Sequence, residues 1–170
     1  VALPGPLNVW DWLWFQRIDA RDLAGMRILM GLLLLVWHLF LWPDLWLLTG
    51  EGPMDAEILS TKWSAYRLTF FDGLTTGQMH AVHVVALVLI VLFTLGAATP
   101  VVSWLLVIWL ATVWHMSPWI QNGGDRVLRI MLFYLALSPC GRAWSVDAWL
   151  MRRSGRTPEP DAPILSIRLI

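Results

Sequence analysis

Four histidines, His38, His80, His83 and His115, are the residues of this chain best able to exchange a proton or hold a ligand near neutral pH. His80 and His83 are three residues apart, which puts both on one face of a helix. A second polar set follows at Asn122, Asp125, Arg126 and Arg129, where Asp125 and Arg129 are one helical turn apart and able to neutralise each other. A group of imidazoles could line a polar pocket, hold a quinone headgroup or pass protons. His-x-x-His alone does not specify a metal, which needs further ligands at fixed distances, so no metal site is expected. The only cysteine, Cys140, cannot close an internal disulfide. There is no phosphate-binding glycine loop before a lysine, no His-Glu-x-x-His, no cysteine pair and no Gly-x-Ser-x-Gly.

The elements that carry these groups are unusually apolar. Of 170 residues, 58% are hydrophobic and 14% charged, against about 45–50% and about 25% in a soluble domain. Disorder, collagen and coiled coil are excluded, and an all-α integral membrane protein is expected. With 12 basic and 12 acidic residues, no positive excess exists to attract nucleic acid. A span needs about 20 apolar residues, and four segments approach this, over 24–46, 79–98, 101–119 and 126–140. The fourth is short and carries Arg129. Thr99-Pro100 reads as a tight turn joining the second and third spans. The mixture of rings and charges in Val9-Trp10-Asp11-Trp12-Leu13-Trp14-Phe15 predicts an amphipathic helix in the membrane interface over 8–22. A short amphipathic helix is also expected near 55–70. Arg152 to Pro160 reads as a hydrophilic loop. The apolar run Ile164 to Ile170 predicts continuation into a further hydrophobic element, so that 1–170 is one truncated transmembrane domain.

Basic residues orient this bundle of about four helices. Arg17, Arg21, Arg142, Arg152, Arg153, Arg156 and Arg168 fall on one side, against Lys62, Arg67 and Arg126 on the other. The first side, with the N-terminus, is the expected cytoplasmic one, in a bacterial cytoplasmic membrane. His38, His80, His83, His115, Asn122, Asp125, Arg126 and Arg129 then gather toward the outer side as a candidate pocket. Arg27, near the inner end of its span, is expected to snorkel to the headgroups. Trp104, Trp109 and Trp114 read as belt and packing residues.

Three motifs in order resemble one family. Arg27-Ile28-Leu29-Met30-Gly31-Leu32-Leu33-Leu34 opens the first span, Asn122-Gly123-Gly124-Asp125 precedes the fourth, and Trp144-Ser145-Val146-Asp147 follows it. Together they resemble the HTTM family, the horizontally transferred transmembrane domain related to vitamin K-dependent gamma-carboxylase. The resemblance covers nearly all of this chain but only the N-terminal part of the family domain. It implies a multi-helix membrane bundle. In the carboxylase it further implies a lysine that deprotonates vitamin K hydroquinone and a site that opens to the lumen. Gly123 and Gly124 stand where the carboxylase carries a functional histidine, and its lysine belongs to an element beyond Ile170. The expected function is therefore a non-catalytic accessory or structural subunit of a larger respiratory or photosynthetic membrane complex, in contact with lipids and other membrane subunits. The alternative is a quinol-linked, carboxylase-like enzyme with an outward-facing site, incomplete in this chain.

Overall fold

A computed structural model describes residues 17–49, 74–116, 123–155 and 161–163. The described residues are helical apart from turns and one short ladder. The elements are β1 (Arg17–Asp19), α1 (Ala20–Leu41), a 3-10 helix (Trp42–Leu48), α2 (Thr76–Leu95), α3 (Thr99–Met116), α4 (Gly123–Leu137), α5 (Val146–Arg153) and β2 (Asp161–Pro163). Strands β1 and β2 pair antiparallel, Arg17 opposite Pro163 and Asp19 opposite Asp161. Helix α1 packs on α2, α2 on α3 and α3 on α4, and α4 returns to touch α1.

Two stretches are long and apolar enough to cross a membrane, Ala20–Leu47 (28 residues) and Thr76–Leu95 (20 residues), and Thr99–Val113 is a shorter apolar helix. Their outward faces are as apolar as their inward ones. Met30, Leu34, Ala86, Ile90, Phe93 and Leu106 are buried between helices, while Leu32, Leu33, Val36, Val84, Val85, Val88 and Ile108 face out. A helix that is hydrophobic all round suits lipid on its outer face. Among lipid-like surroundings helices associate by close packing rather than by escape from water. Gly31 shows this: a Cβ there would overlap the Thr94 side chain, so α1 and α2 approach closely only because residue 31 has none.

Local chemistry sets the helix ends. Asp19 accepts the Arg21 N–H at 2.8 Å and starts α1. Thr75 and Gln78 form a capping box on α2. At the other end of α2, Gly96 adopts φ +70°, with Ala97 N–H donating to Leu92 and Gly96 N–H to Phe93, the Schellman pattern.

These ends revise several sequence expectations. The interfacial helix expected over 8–22 fails at its described end, because Arg17–Asp19 is extended and Ala20 already begins α1; residues 8–16 lie outside the described residues, as does the helix expected near 55–70. The first span begins earlier than residue 24 and changes to 3-10 geometry at Trp42, where Pro43 interrupts the α-helical hydrogen bonds. The turn between α2 and α3 lies at Gly96 to Ala98. Thr99-Pro100 instead begins α3, where proline's missing N–H costs nothing. Arg152 and Arg153 end helix α5 rather than opening a loop, and cations suit a helix C-terminus.

Candidate functional site

The buried polar groups separate into two sets, one at each end of α1. Near its start, Arg27 is fully buried, at 0% exposure, so the expected snorkelling does not occur. Its Nη1 donates to the Cys140 carbonyl at 2.6 Å and its Nη2 to the Trp144 carbonyl at 2.6 Å, with a longer contact from Nη1 to Ala143 at 3.5 Å. One rigid guanidinium fork thereby holds the whole connection between α4 and α5.

The Trp-Ser-Val-Asp motif completes this knot. Ser145 Oγ accepts the Ala148 N–H at 2.9 Å, capping α5, and donates to the Gly141 carbonyl at 2.5 Å. Asp147 accepts the amides of Ala98 and Thr99, each at 2.8 Å. Helix α3 has Ala98 rather than a polar residue before its first turn, so Asp147 supplies both the missing cap and a negative charge at the positive end of the helix. The Asp147 amide in turn donates to the Gly96 carbonyl at 3.0 Å. Among the described residues, both non-glycine residues with positive φ, Ala98 (48°) and Trp144 (44°), lie in this knot. Such strain persists where surrounding contacts over-determine the backbone. A Cβ on Gly96 would overlap Ser145 and the Arg27 guanidinium, and one on Gly141 would overlap Thr99.

At the far end of α1 lies a cluster of imidazole and indole rings. His38 Nδ1 bonds the Leu34 carbonyl at 2.8 Å, which assigns the proton to Nδ1 and leaves Nε2 to accept the Trp109 indole N–H at 2.8 Å. The His38 carbonyl is released from the helix because the Trp42 amide bonds Leu39 instead. His83 Nε2 donates to that carbonyl at 3.1 Å. The His38 and His83 rings lie 5.2 Å apart, and Trp109 packs edge-on against His83 at 6.0 Å. Trp42 meets His80 at 5.0 Å and His83 at 5.7 Å. His80 Nδ1 donates back to the Thr76 carbonyl at 2.8 Å. His83 has 0% exposure, yet its Nδ1 has no hydrogen-bond partner.

Three of the residues read as a pocket from sequence, His38, His80 and His83, are thus brought together. His115 lies on α3, its side chain outside the described residues, and Asn122 lies outside them too. Arg126 and Arg129 line a separate groove between α3 and α4 whose described lining includes none of His38, His80 and His83, with Asp125 beside them on the same helix. Sequence reasoning missed Trp42 and Trp109 as imidazole partners, since nothing in an evenly Trp-rich helix marks the ring that faces inward. It also missed the role of Asp147, whose capping targets are 48 and 49 residues away. Among the described residues no group of three or more His, Cys, Asp or Glu is arranged to hold a metal. No protein-family model, curated protein or solved structure matches this chain.

Proposed function

We propose that this chain is an integral membrane protein of the HTTM type, with α1 to α4 as four spans, and that it serves as a non-catalytic accessory or structural subunit of a larger respiratory or photosynthetic membrane complex. The observation that carries this reading is that Arg27, Asp147 and His38 make hydrogen bonds to this chain's own carbonyls and amides and to an indole. Arg27 serves three carbonyls, Asp147 two amides, and His38 one carbonyl and one indole. Groups so engaged hold helices in register and are not available to a substrate. The surrounding apolar surface, including Phe40, Val85, Val101, Trp104 and Tyr134, suits lipid and neighbouring membrane helices. The proposed setting is a bacterial cytoplasmic membrane with the N-terminus cytoplasmic.

The test is to purify the tagged chain from its own membranes in mild detergent and to count partners by native mass spectrometry. A redox complex present at fixed stoichiometry, and lost when Leu33→Arg is introduced on the outer face of α1, is the expected result. Recovery of the chain alone, with quinol-dependent activity, would overturn it.

One observation favours a second reading, a quinol-linked enzyme with an outward site. The buried lone pair of His83 Nδ1 lies among Trp42, Trp109 and His38, and a quinol hydroxyl is a suitable donor to it. Quinol titration of the purified chain followed by tryptophan fluorescence tests this, and a response unchanged in His83→Phe would sink it.

A further inference from the structure

The groove between α3 and α4 joins two positive charges to an apolar wall. It encloses about 850 Å³ and has Leu110, Ala111, Ile130 and Phe133 along its wall and Arg126 and Arg129 at one end. Arg126 and Arg129 are three residues apart and share a helix face, with Arg129 about 4.5 Å further along the axis. Among the described residues Asp125 supplies one negative charge against the two guanidinium groups, so their sum is positive. The nearby N-terminus of α4 at Gly123 adds to this in the same sense.

We infer that this groove binds an anionic phospholipid, its phosphate between Arg126 and Arg129 and an acyl chain along the Leu110 to Phe133 wall. A soluble anion would leave that wall uncovered, and a zwitterionic lipid would leave the positive charge uncompensated. An anionic lipid answers both, because guanidinium forks match phosphate oxygens and the acyl chain matches the wall. The inference rests on the reading that α4 lies within the bilayer.

The experiment mixes the full chain, purified in detergent, with vesicles of equal phosphatidylglycerol and phosphatidylcholine. The protein is then repurified and its retained lipids are counted by mass spectrometry. The retained phosphatidylglycerol-to-phosphatidylcholine ratio is expected to be about ten to one, against the equal ratio in the vesicles, from two guanidinium contacts near the interface. Arg126→Gln with Arg129→Gln brings that ratio to within about twofold of the equal ratio in the vesicles. Arg152→Gln with Arg153→Gln removes the same charge from α5 and leaves the enrichment intact. Ala111→Phe fills the wall and lowers retention of both lipids while the arginines remain, which serves as the test if the double arginine variant does not fold. No enrichment in the wild-type chain, or an equal loss in the α5 variant, overturns the lipid site. Alkaline carbonate extraction of the original membranes separates the two readings. Release of the chain breaks the membrane assignment, whereas retention without phosphatidylglycerol enrichment sinks the lipid site alone.

Discussion

The two ends of α1 solve the same problem in opposite ways. Both bury strongly polar groups in apolar surroundings. At the Arg27 end, side chains bond to backbone groups that lie far away in sequence: the carbonyls of Cys140, Ala143 and Trp144, and the amides of Ala98 and Thr99. At the His38 end, His38 and His80 bond carbonyls of their own helices, His83 bonds the His38 carbonyl 45 residues away, and Trp109 bonds the His38 ring. The first arrangement fixes where four chain segments meet. The second fixes ring orientation and tautomer; both ends leave buried polar atoms without a partner, Arg27 Nε and Thr99 Oγ1 at the first and His83 Nδ1 at the second. A network anchored on backbone belongs to the architecture, because no substitution elsewhere can replace its carbonyls and amides. A network of rings, bonded partly within their own helices, can be retuned one ring at a time.

If that contrast is right, substitutions at the Arg27 end must cost more. The largest effect is expected for Arg27→Leu, which leaves two or three buried carbonyls without donors and lowers stability by about 3 kcal/mol or more. Reversible unfolding in mixed detergent measures it. Arg27→Lys keeps the charge but loses the fork, so it recovers only part of the loss. Gly96→Ala forces a Cβ against Ser145 and Arg27 at a positive φ, a cost of about 2 kcal/mol. Asp147→Ala removes a cap that serves two amides and is expected to cost about 1–2 kcal/mol. A double-mutant cycle with Arg27→Leu should show coupling, since both residues hold one connection, and additive losses would break the idea of a single knot.

At the other end Trp109→Phe removes one indole donor from His38 Nε2 and is expected to cost about 1 kcal/mol. A loss as large as that of Arg27→Leu would erase the distinction between the two ends. Asp125→Asn, an i, i+4 pair with Arg129 on the surface of α4, should change stability by about 0.5 kcal/mol or less.

Much of this architecture was legible from hydropathy. The apolar runs located the helices α1, α2, α3 and α4 to within a few residues, because a long apolar run that no turn interrupts favours one continuous helix. Their ends were less legible. Thr99-Pro100 reads as a turn, since proline punctuates chains, but proline also suits the first turn of a helix, and Gly96 was free to take the left-handed turn instead. Ile18 and its neighbours read as the end of an amphipathic helix, yet pair with Ala162, a partner that local pattern cannot reveal.

For the site, periodicity alone put His80 and His83 on one face. The approach of His38 depended on how α1 packs on α2, where Gly31 lets the helices come close. Arg27 shows the largest gap between sequence and structure. A lone arginine near the end of an apolar helix has a long enough side chain to reach the headgroups, and that reading is physically sound for an isolated helix. It fails here because the loop from Pro139 to Ser145 presents its carbonyls within reach, so the charge is solvated by backbone dipoles rather than by water.

Composition and local period were enough to predict a helical, apolar chain and to pick out the residues scarce enough to matter. What those residues do depends on how the helices pack. Asp147 caps a helix that begins 48 residues earlier, and Trp109 fixes the tautomer of a histidine 71 residues away. Such partners are set by which carbonyls, amides and rings the packed helices bring together, and hydrogen-bond geometry over that separation leaves no periodic trace in the chain.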